Sequence, residues 1–434
     1  MPDHLSARLL PAWVEPLAVF RMLETRAADV FWLDAGDGAA EGWSFIGTGT
    51  VSSLPADVRI DVPAADDGLP PFRGGWIGWR DYEQGARDAG APVTTERDDR
   101  PSWVLATHVV AIDHAGRRVW ALADEGELDA WASVVEGVLP SDADHDAPPS
   151  RIAVARHDPQ EYAGLIQECR ELIRAGIAYQ LCLTTRFTVP GQHDAVAAYL
   201  RLRAATPAHH GGFVRIGDRT LLSASPEQFL HAEGGVIRTR PIKGTRPRGA
   251  TPADDAALAA ELAVNPKERA ENVMIVDLMR NDLSQVCVPG SIRVDGLWVV
   301  ETYPAVHQLV STVSGTAVVG TTVGELFHAA FPAGSMTGAP KLSAMTRLHG
   351  LEGGPRGIYA GCFGYIGVDG TLDLAMVIRS IVVEERQAVV GAGGGITWGS
   401  DPDAEVAEVA TKAAAPLAAL GAVLPVLWQS DILN

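Results

Sequence analysis

Residues 364–383 read GYIGVDGTLDLAMVIRSIVV, a strand-like run of apolar and β-branched residues. Runs of the same kind occur earlier, at residues 178–189 (AYQLCLTTRFTV), 220–232 (TLLSASPEQFLHA) and 235–245 (GVIRTRPIKGT). Such residues fit the pleated surface of a sheet, so these runs predict strands and hairpin-like pairs of strands.

Helix starts separate these strand-like runs. Each start combines a capping side chain, a proline in the first turn and an early acidic residue. Because strands and helices do not alternate as strict βαβ units, we predict an α+β fold with large, mostly antiparallel sheets. The starts are Asp158-Pro159, Asn265-Pro266 and Asp401-Pro402, and the helices that they open run to Gly176, towards Ser284 and to about Leu420.

The chain length and one acidic, proline-containing segment predict two parts. A chain of 434 residues exceeds the usual size of a single core. Ser141–Ser150, SDADHDAPPS, reads as a linker or long loop. We therefore predict a strand-rich N-terminal region, residues 1–145, that packs on a catalytic domain, residues 150–434. The N-terminal region includes a hairpin predicted around His114–Arg117.

Composition excludes several classes of partner. The 35 basic and 54 acidic residues give a net charge of −19, which repels nucleic acid. No apolar run is long enough to span a bilayer, so no membrane segment is expected. The four cysteines show no CxxC spacing, which argues against a disulfide framework or a zinc site. These features predict a cytoplasmic protein.

Carboxylates on two predicted helices could hold a metal ion. Glu271 lies in line with Ile275 and Leu278 on its helix, and Glu405, Glu408 and Lys412 stack on one face of the last helix. Carboxylates from separate helices can hold a hard cation such as Mg²⁺. The alternative, which spacing alone leaves open, is a solvated face of glutamates and lysine.

One lysine stands in a basic, glycine-containing segment, residues 239–249 (TRPIKGTRPRG). A lysine is nucleophilic only when neutral, and the nearby Arg240 and Arg246, together with desolvation, are expected to favour the neutral amine of Lys243. The glycine that follows permits close approach of substrate or backbone. A surface basic turn is the alternative, and a Schiff-base lysine without a metal is another.

Two glycine-rich segments, Phe331–Lys341 and Gly391–Gly395, are predicted to be turns whose backbone N–H groups could hold carboxylate or phosphate oxygens. Neither matches a P-loop or a dinucleotide-binding fingerprint. Tight hairpin turns without a ligand are the alternative.

Taken together, the segments resemble the chorismate-utilising enzymes, which include anthranilate, aminodeoxychorismate, isochorismate and salicylate synthases. The resemblance covers essentially all of the C-terminal part and implies the anthranilate synthase component I-like fold, a layered core of large sheets with helices outside. The N-terminal PPFRGGWIGWRDYE is similar, more loosely, to the family's PPFxGGxxGYxxYE. The motifs, in chain order, are SASPEQFL, TRPIKGTRPRG, KERAENVMIVDLMRNDLSQV, VHQLVSTVSG, FPAGSMTGAPK, RGIYAGCFGYI, IRS and GAGGGITWGSDPDAEVAEVATK, across residues 223–412.

The resemblance also implies roles for single residues. Glu271 and Glu408 fall where the family binds Mg²⁺, and Glu405 would join through water. Glu227 falls where the family places the general acid that protonates the departing hydroxyl. Other positions match residues that surround the substrate and its carboxylates: Gln180, Thr245, His307, Tyr359, Arg379, Lys412 and the amides of Gly393, Gly394 and Gly395.

Lys243 discriminates within the family. Its PIKGT is similar to the aminodeoxychorismate synthases, in which the lysine is thought to attack chorismate before ammonia adds at C4. Gln180 stands where water-using relatives carry a lysine, which implies ammonia as nucleophile and a separate glutamine amidotransferase subunit as its source. The route then leads to 4-aminobenzoate and folate, although a secondary-metabolite pathway would use the same chemistry. The alternatives are an anthranilate synthase component I and a non-catalytic regulatory homologue.

The resemblance leaves open whether the chain binds tryptophan. Met22–Thr25, MLET, only approximates the LLES segment that contacts tryptophan in feedback-inhibited anthranilate synthases.

Overall fold

The computed structural model describes residues 2–62, 68–94, 100–140, 150–303 and 306–429. Most of the predicted linker, residues 141–149, lies outside the described residues. The boundary predicted there therefore stays a prediction.

The strands of the N-terminal part are β1 (Ser6–Leu9), β2 (Val30–Asp34), β3 (Trp43–Ser52), β4 (Gly75–Arg80), β5 (Trp103–Asp113) and β6 (Arg118–Ala123). Those that follow are β7 (Arg151–Ile152), β8 (Val154–Ala155), β9 (Gln180–Pro190), β10 (His210–Ile216), β11 (Arg219–Ser225), β12 (Gln228–Glu233), β13 (Val236–Thr239), β14 (Ile242–Pro247), β15 (Arg293–Thr302), β16 (Val306–Thr316), β17 (Gly338–Ala339), β18 (Cys362–Gly367), β19 (Leu372–Met376), β20 (Ser380–Glu384), β21 (Gln387–Ile396) and β22 (Ala422–Val423).

The helices are α1 (Pro16–Glu24), α2 (Tyr82–Asp88), α3 (Leu128–Glu136), α4 (Pro159–Arg174), α5 (Ala195–Ala205), α6 (Pro252–Val264), α7 (Pro266–Leu283), α8 (Val323–Ala330), α9 (Lys341–Leu351), α10 (Pro402–Ala419) and α11 (Val426–Gln429), with a short 3₁₀ turn at Gly334–Met336.

Local capping explains where the three predicted helices begin. Asp158 caps α4 in a capping box with Glu161, and Gly176 follows the helix in the left-handed conformation that favours glycine. The side chains of Asn265 and Asp401 accept backbone N–H groups at the starts of α7 and α10. The predicted helices are confirmed, because these signals lie within one turn of each helix.

The large sheet divides into two layers at β5. One edge of β5 pairs with β3 along its whole length, while β4 and β6 share the other edge. One layer continues from β3 through β2, β10, β11, β20 and β21 to β9. The other continues from β4 through β18, β19, β12 and β13 to β16. All of these pairings are antiparallel.

The alternation of side chains along the strands builds three hydrophobic cores. Phe31 and Phe45 point into the core between the two layers. Their strand neighbours Trp32 and Ile46 point outward, into a core that α1, α3, α4, α5 and α10 cover. The third core lies under α2, α7, α8 and α9, on the outer face of the second layer. The predicted α+β fold, with layered antiparallel sheets inside and helices outside, is confirmed.

Strands of the two predicted parts pair directly with each other. β2 hydrogen bonds to β10, and β4 hydrogen bonds to β18. The hairpin predicted around His114–Arg117 is confirmed, since β5 and β6 flank it and pair from Asp113 and Arg118 onward. Among the described residues, no helix is long and apolar enough to cross a membrane.

Candidate active site

A cavity of about 550 Å³ opens between β14, β21, α7 and α10. All eight motifs that the sequence singles out in the C-terminal part contribute residues to its walls, including Val306 and Gln308 from the motif around β16. The predicted site residues that line it are Glu227, Lys243, Thr245, Glu271, Tyr359, Arg379, Gly393, Gly394, Gly395, Glu405, Glu408 and Lys412.

Lys243 projects into this cavity from β14. Gly244 follows with φ +80°, and a Cβ there would lie 2.8 Å from Leu262 and 3.0 Å from Glu268, so both the conformation and the space favour glycine. Desolvation lowers the pKa of Lys243, but Glu271, Cys182, Glu227 and Glu408 together hold that pKa above its ordinary value. The amine therefore carries a proton in this state.

The arginines near Lys243 in sequence do not act on it as predicted. Arg240 forms an ion pair with Glu301, and Arg246 forms ion pairs with Glu261 and Glu268. Their charges are neutralised by these acids, while the acids around Lys243 dominate its electrostatics. The expectation that Arg240 and Arg246 make the amine neutral is therefore wrong.

Glu227 follows β11 and is only 7% exposed. Burial raises its pKa to about 7, against the opposing effects of a hydrogen bond from Ser335 and of the charges of Lys243 and Lys412. A carboxyl group with this pKa exchanges a proton near neutrality, which is what general acid catalysis requires.

Three carboxylates meet the cavity from α7 and α10. The Ser400 hydroxyl donates to Glu405 Oε1 at 2.8 Å, and Lys412 Nζ lies 2.6 Å from Glu408 Oε1. Lys267 Nζ lies 3.9 Å from Glu271 Oε1 and 3.8 Å from Glu405 Oε1.

The electrostatics of these carboxylates differ from one to the next. Burial raises the pKa of Glu271 and of Glu405. Desolvation acts on Glu408 in the same direction, but Lys412 and other ammonium groups outweigh it and lower the pKa of Glu408. Glu271, Glu405 and Glu408 are the oxygen donors of this cavity that could hold a hard divalent cation.

The structure corrects the prediction that residues 391–395 form a turn. They lie within β21 and pair with β9 from Arg186 to Cys182, so this segment is a strand rather than a turn. A Cβ at Gly391 would lie 2.1 Å from the ring of Tyr359, and one at Gly395 would lie 2.4 Å from Gln180 Nε2. Glycine is needed because other side chains pack directly on the strand. The Gly393 carbonyl accepts from Lys412 Nζ at 2.8 Å, so it faces the cavity.

The second glycine-rich segment, Phe331–Lys341, contains the 3₁₀ turn and the short strand β17. Ser335 and Met336 of that turn line the cavity, and Ser335 hydrogen bonds to Glu227. Ser335 was missed by the sequence analysis, since nothing local indicates that its hydroxyl meets a carboxyl group from β11.

Arg379 and Tyr359 form another part of the wall. Arg379 adopts φ 52°, a strained conformation for a residue with a side chain, and burial lowers the pKa of its guanidinium. Burial also raises the pKa of Tyr359, which keeps its hydroxyl protonated. The pair offers one cation and one neutral hydroxyl to an anionic ligand.

Gln180 is fully buried beside the cavity, and its amide oxygen and nitrogen have no hydrogen-bond partner in the described structure. Gln180 Nε2 and Lys243 Nζ both lie near Gly395, since a Cβ on that glycine would be 2.4 Å from the former and 3.2 Å from the latter. An unpaired buried amide is costly, and Gln180 lies behind the cavity wall rather than in its lining.

His307 is not part of the cavity wall. Its Nδ1 pairs with Thr302 Oγ1 and its Nε2 with Asp255 Oδ1, each at 2.9 Å. Adjacent residues of a strand point to opposite faces, and it is Gln308, paired across the sheet with Thr245, that lines the cavity. The structure therefore places Gln308, rather than the predicted His307, in the cavity wall.

Comparisons with known proteins identify the family and the fold. Residues 35–418 match the model of a family described as chorismate binding enzyme. The structure resembles the crystal structure of anthranilate synthase component I from Streptococcus pneumoniae, with a TM-score of 0.73 and 26% identity over 95% of this chain and 92% of that one.

Curated relatives carry two kinds of name. Aminodeoxychorismate synthase of Streptomyces pristinaespiralis is 42% identical over 81% of the chain and 52% of its own length, so the chain spans about half of that relative. Aminodeoxychorismate synthase component 1 of Salmonella typhimurium is 38% identical, over 81% of the chain and 77% of the relative. Anthranilate synthase component 1 of Streptomyces coelicolor is also 38% identical, over 81% of the chain and 74% of the relative. On both the family match and these identities, the chain belongs to the chorismate-binding enzyme family.

Proposed function

We propose that this chain converts chorismate and ammonia to 4-amino-4-deoxychorismate. The observation that carries the proposal is the lysine amine of Lys243 in the same cavity as the buried acid Glu227. The names of the aminodeoxychorismate synthase relatives support it. Overall identity does not decide between the two kinds of relative, so the argument rests on Lys243.

The proposed reaction takes two displacements. The neutral amine of Lys243 forms a bond to ring C2, both ring double bonds shift so that C1=C2 and C5=C6 become C1=C6 and C4=C5, and the C4–O bond breaks with the hydroxyl leaving as water after it takes a proton from Glu227. Ammonia then forms a bond at C4, both double bonds shift back to C1=C2 and C5=C6, and the C2–N bond to Lys243 breaks. Chorismate and ammonia give 4-amino-4-deoxychorismate and water, and one hard displacement becomes two easier ones.

The raised pKa of Lys243 requires that its proton be removed before attack. We assign this role to Glu227, whose pKa of about 7 lets it accept a proton in the cavity and pass it to the departing hydroxyl. A single proton shared by the two side chains then serves both to activate the nucleophile and to release the leaving group.

We assign Mg²⁺ to the three carboxylates, with Glu271 and Glu408 as ligands and Glu405 assisting through water. When bound, it would supply positive charge that holds a substrate carboxylate. Arg379 and Lys412 are cations of the chain that face the same cavity, and we assign them to the substrate's carboxylates. An acidic protein can therefore accept an anionic substrate.

We infer that ammonia comes from a separate glutamine amidotransferase subunit. The words "component 1" in the name of one relative support this inference. Gln180 is the group we assign to the incoming ammonia, because its unpaired amide lies close to Lys243. A secondary-metabolite pathway would need the same chemistry, and a tryptophan ligand stays an open prediction.

The decisive experiment is product analysis after incubation with chorismate, Mg²⁺ and ammonium. We expect 4-amino-4-deoxychorismate, with no release of pyruvate. Anthranilate together with pyruvate would assign the chain to the anthranilate synthases instead, and an absence of any product would indicate a non-catalytic homologue.

A further inference from the structure

The chain uses lysine sparingly. Its 35 basic residues include only four lysines: Lys243, Lys267, Lys341 and Lys412. Three of the four line the candidate active site. An ammonium group is a compact, strongly hydrated charge on a flexible stem, whereas a guanidinium is a planar fork. The choice of lysine at this cavity therefore indicates that the compact charge matters there.

Of the three lysines that line the cavity, Lys267 is the one to which the proposed reaction gives no role. It stands in the first turn of α7, and its ammonium group is within 4 Å of carboxylates on two helices, Glu271 one turn later on α7 and Glu405 on α10. Its side chain is 58% exposed, so it has room to move into solvent.

The carboxylates proposed to bind the metal are all paired with ammonium groups in this state. Lys267 bridges Glu271 and Glu405, and Lys412 holds Glu408. In the part of the chain that the structure describes, no three acidic, histidine or cysteine side chains are gathered into a metal-binding group. The carboxylates are directed to the lysines rather than to one common point.

We propose that Lys267 is a tethered counter-ion that occupies the cation position between Glu271 and Glu405 and that a divalent cation displaces. This inference rests on the proposed metal site. Without a counter-ion, the carboxylates of Glu271 and Glu405, which are 13% and 5% exposed, would repel each other across the space between α7 and α10. A half-exposed ammonium group relieves that repulsion but is bound weakly enough to yield to a doubly charged ion. Lys267 thus stabilises the metal-free protein and sets the metal affinity.

The test measures binding of Mg²⁺ alone, without chorismate, by isothermal titration of the full chain. Lys267→Met keeps the length of the side chain and removes the competing charge, so we expect Mg²⁺ to bind roughly three- to thirtyfold more tightly. The melting temperature of this variant should be lower than that of the wild type without metal, and should recover at saturating Mg²⁺. Lys267→Arg can bridge both carboxylates with its fork, so it should bind Mg²⁺ more weakly than the wild type.

Arg280→Met is the matched control, because it removes one exposed charge from the same helix, about 20 Å further along α7. Its Mg²⁺ affinity should equal that of the wild type. If Lys267→Met binds Mg²⁺ as the wild type does, or more weakly, the counter-ion role is overturned. This holds even if Glu271→Gln abolishes Mg²⁺ binding, which would support the metal site alone. Absence of Mg²⁺ binding by the wild type would instead overturn the metal site, and the counter-ion role with it.

Discussion

At the scale of single residues, Lys243 carries the proposed chemistry. Without ammonia the second displacement cannot occur, so incubation with chorismate and Mg²⁺ should leave a substrate-derived mass adduct on the peptide that contains Lys243. Lys243→Met should lose both the adduct and activity, by a factor on the order of 10²–10⁴. The measurements are peptide mass spectrometry and steady-state rates.

Lys243→Arg separates a nucleophile from a charge. Arginine keeps the positive charge but is not nucleophilic at accessible pH, so this variant should be as slow as Lys243→Met. A variant with arginine at this position that forms 4-amino-4-deoxychorismate near the wild-type rate would eliminate the covalent route.

The pH dependence tests the shared proton. The productive pair holds one proton between Lys243 and Glu227, and below a pH of about 7 Glu227 holds its own proton and cannot accept that of the lysine. We therefore expect kcat/KM at saturating Mg²⁺ to fall as pH falls through about 7. The Lys243→Met variant has no lysine proton to remove and needs only the protonated form of Glu227. The residual activity of this variant should therefore fall as pH rises. Two profiles of the same shape would exclude proton transfer from Lys243 to Glu227.

At the scale of secondary-structure elements, the glycines of β21 allow the cavity to form. A Cβ added at Gly395 would meet Gln180 Nε2 at 2.4 Å and Lys243 Nζ at 3.2 Å. Gly395→Ala should therefore displace these groups and lower kcat/KM by about tenfold or more. We expect the free energy of unfolding to fall by roughly 1–3 kcal/mol. Gly399→Ala is the control, since nothing lies within 4 Å of its added Cβ. Equal activities of the two variants in a steady-state assay would contradict the packing argument.

The facing helices α7 and α10 supply the proposed metal ligands. Glu271→Gln or Glu408→Gln removes one negative ligand, so each should weaken Mg²⁺ binding and abolish turnover while the circular dichroism spectrum is retained. Asp277→Asn makes the same change of charge on α7 at a side chain that is 79% exposed, and should leave both properties unchanged. Near-normal activity and Mg²⁺ dependence in either glutamine variant would remove that residue from the metal site.

At the scale of the whole molecule, strands of the N-terminal part complete sheets of the C-terminal part. Because β2–β10 and β4–β18 are paired across the predicted boundary, separating the parts would expose the core between the layers. We expect one cooperative unfolding transition.

Tryptophan fluorescence and far-ultraviolet circular dichroism provide the measurement. Eight of the 11 tryptophans precede residue 141, so fluorescence reports mainly on the N-terminal part, while circular dichroism reports on the whole chain. The two denaturation curves should coincide. A fluorescence transition at lower denaturant would show that the N-terminal part unfolds on its own.

The sequence by itself determined the starts of three helices, the strand-rich α+β class and the family, and 12 of the 14 site residues that it predicts line the cavity. Capping signals act within one turn, so the starts at Asp158, Asn265 and Asp401 are readable locally, and ordered motifs carry the family resemblance. Tertiary structure alone decided which residue of a neighbouring pair enters the cavity, as with Gln308 in place of His307. It also decided that Gly391–Gly395 form a strand and that Arg240 and Arg246 pair away from Lys243. These outcomes depend on strand register and on acids far away in the chain, and local sequence specifies neither.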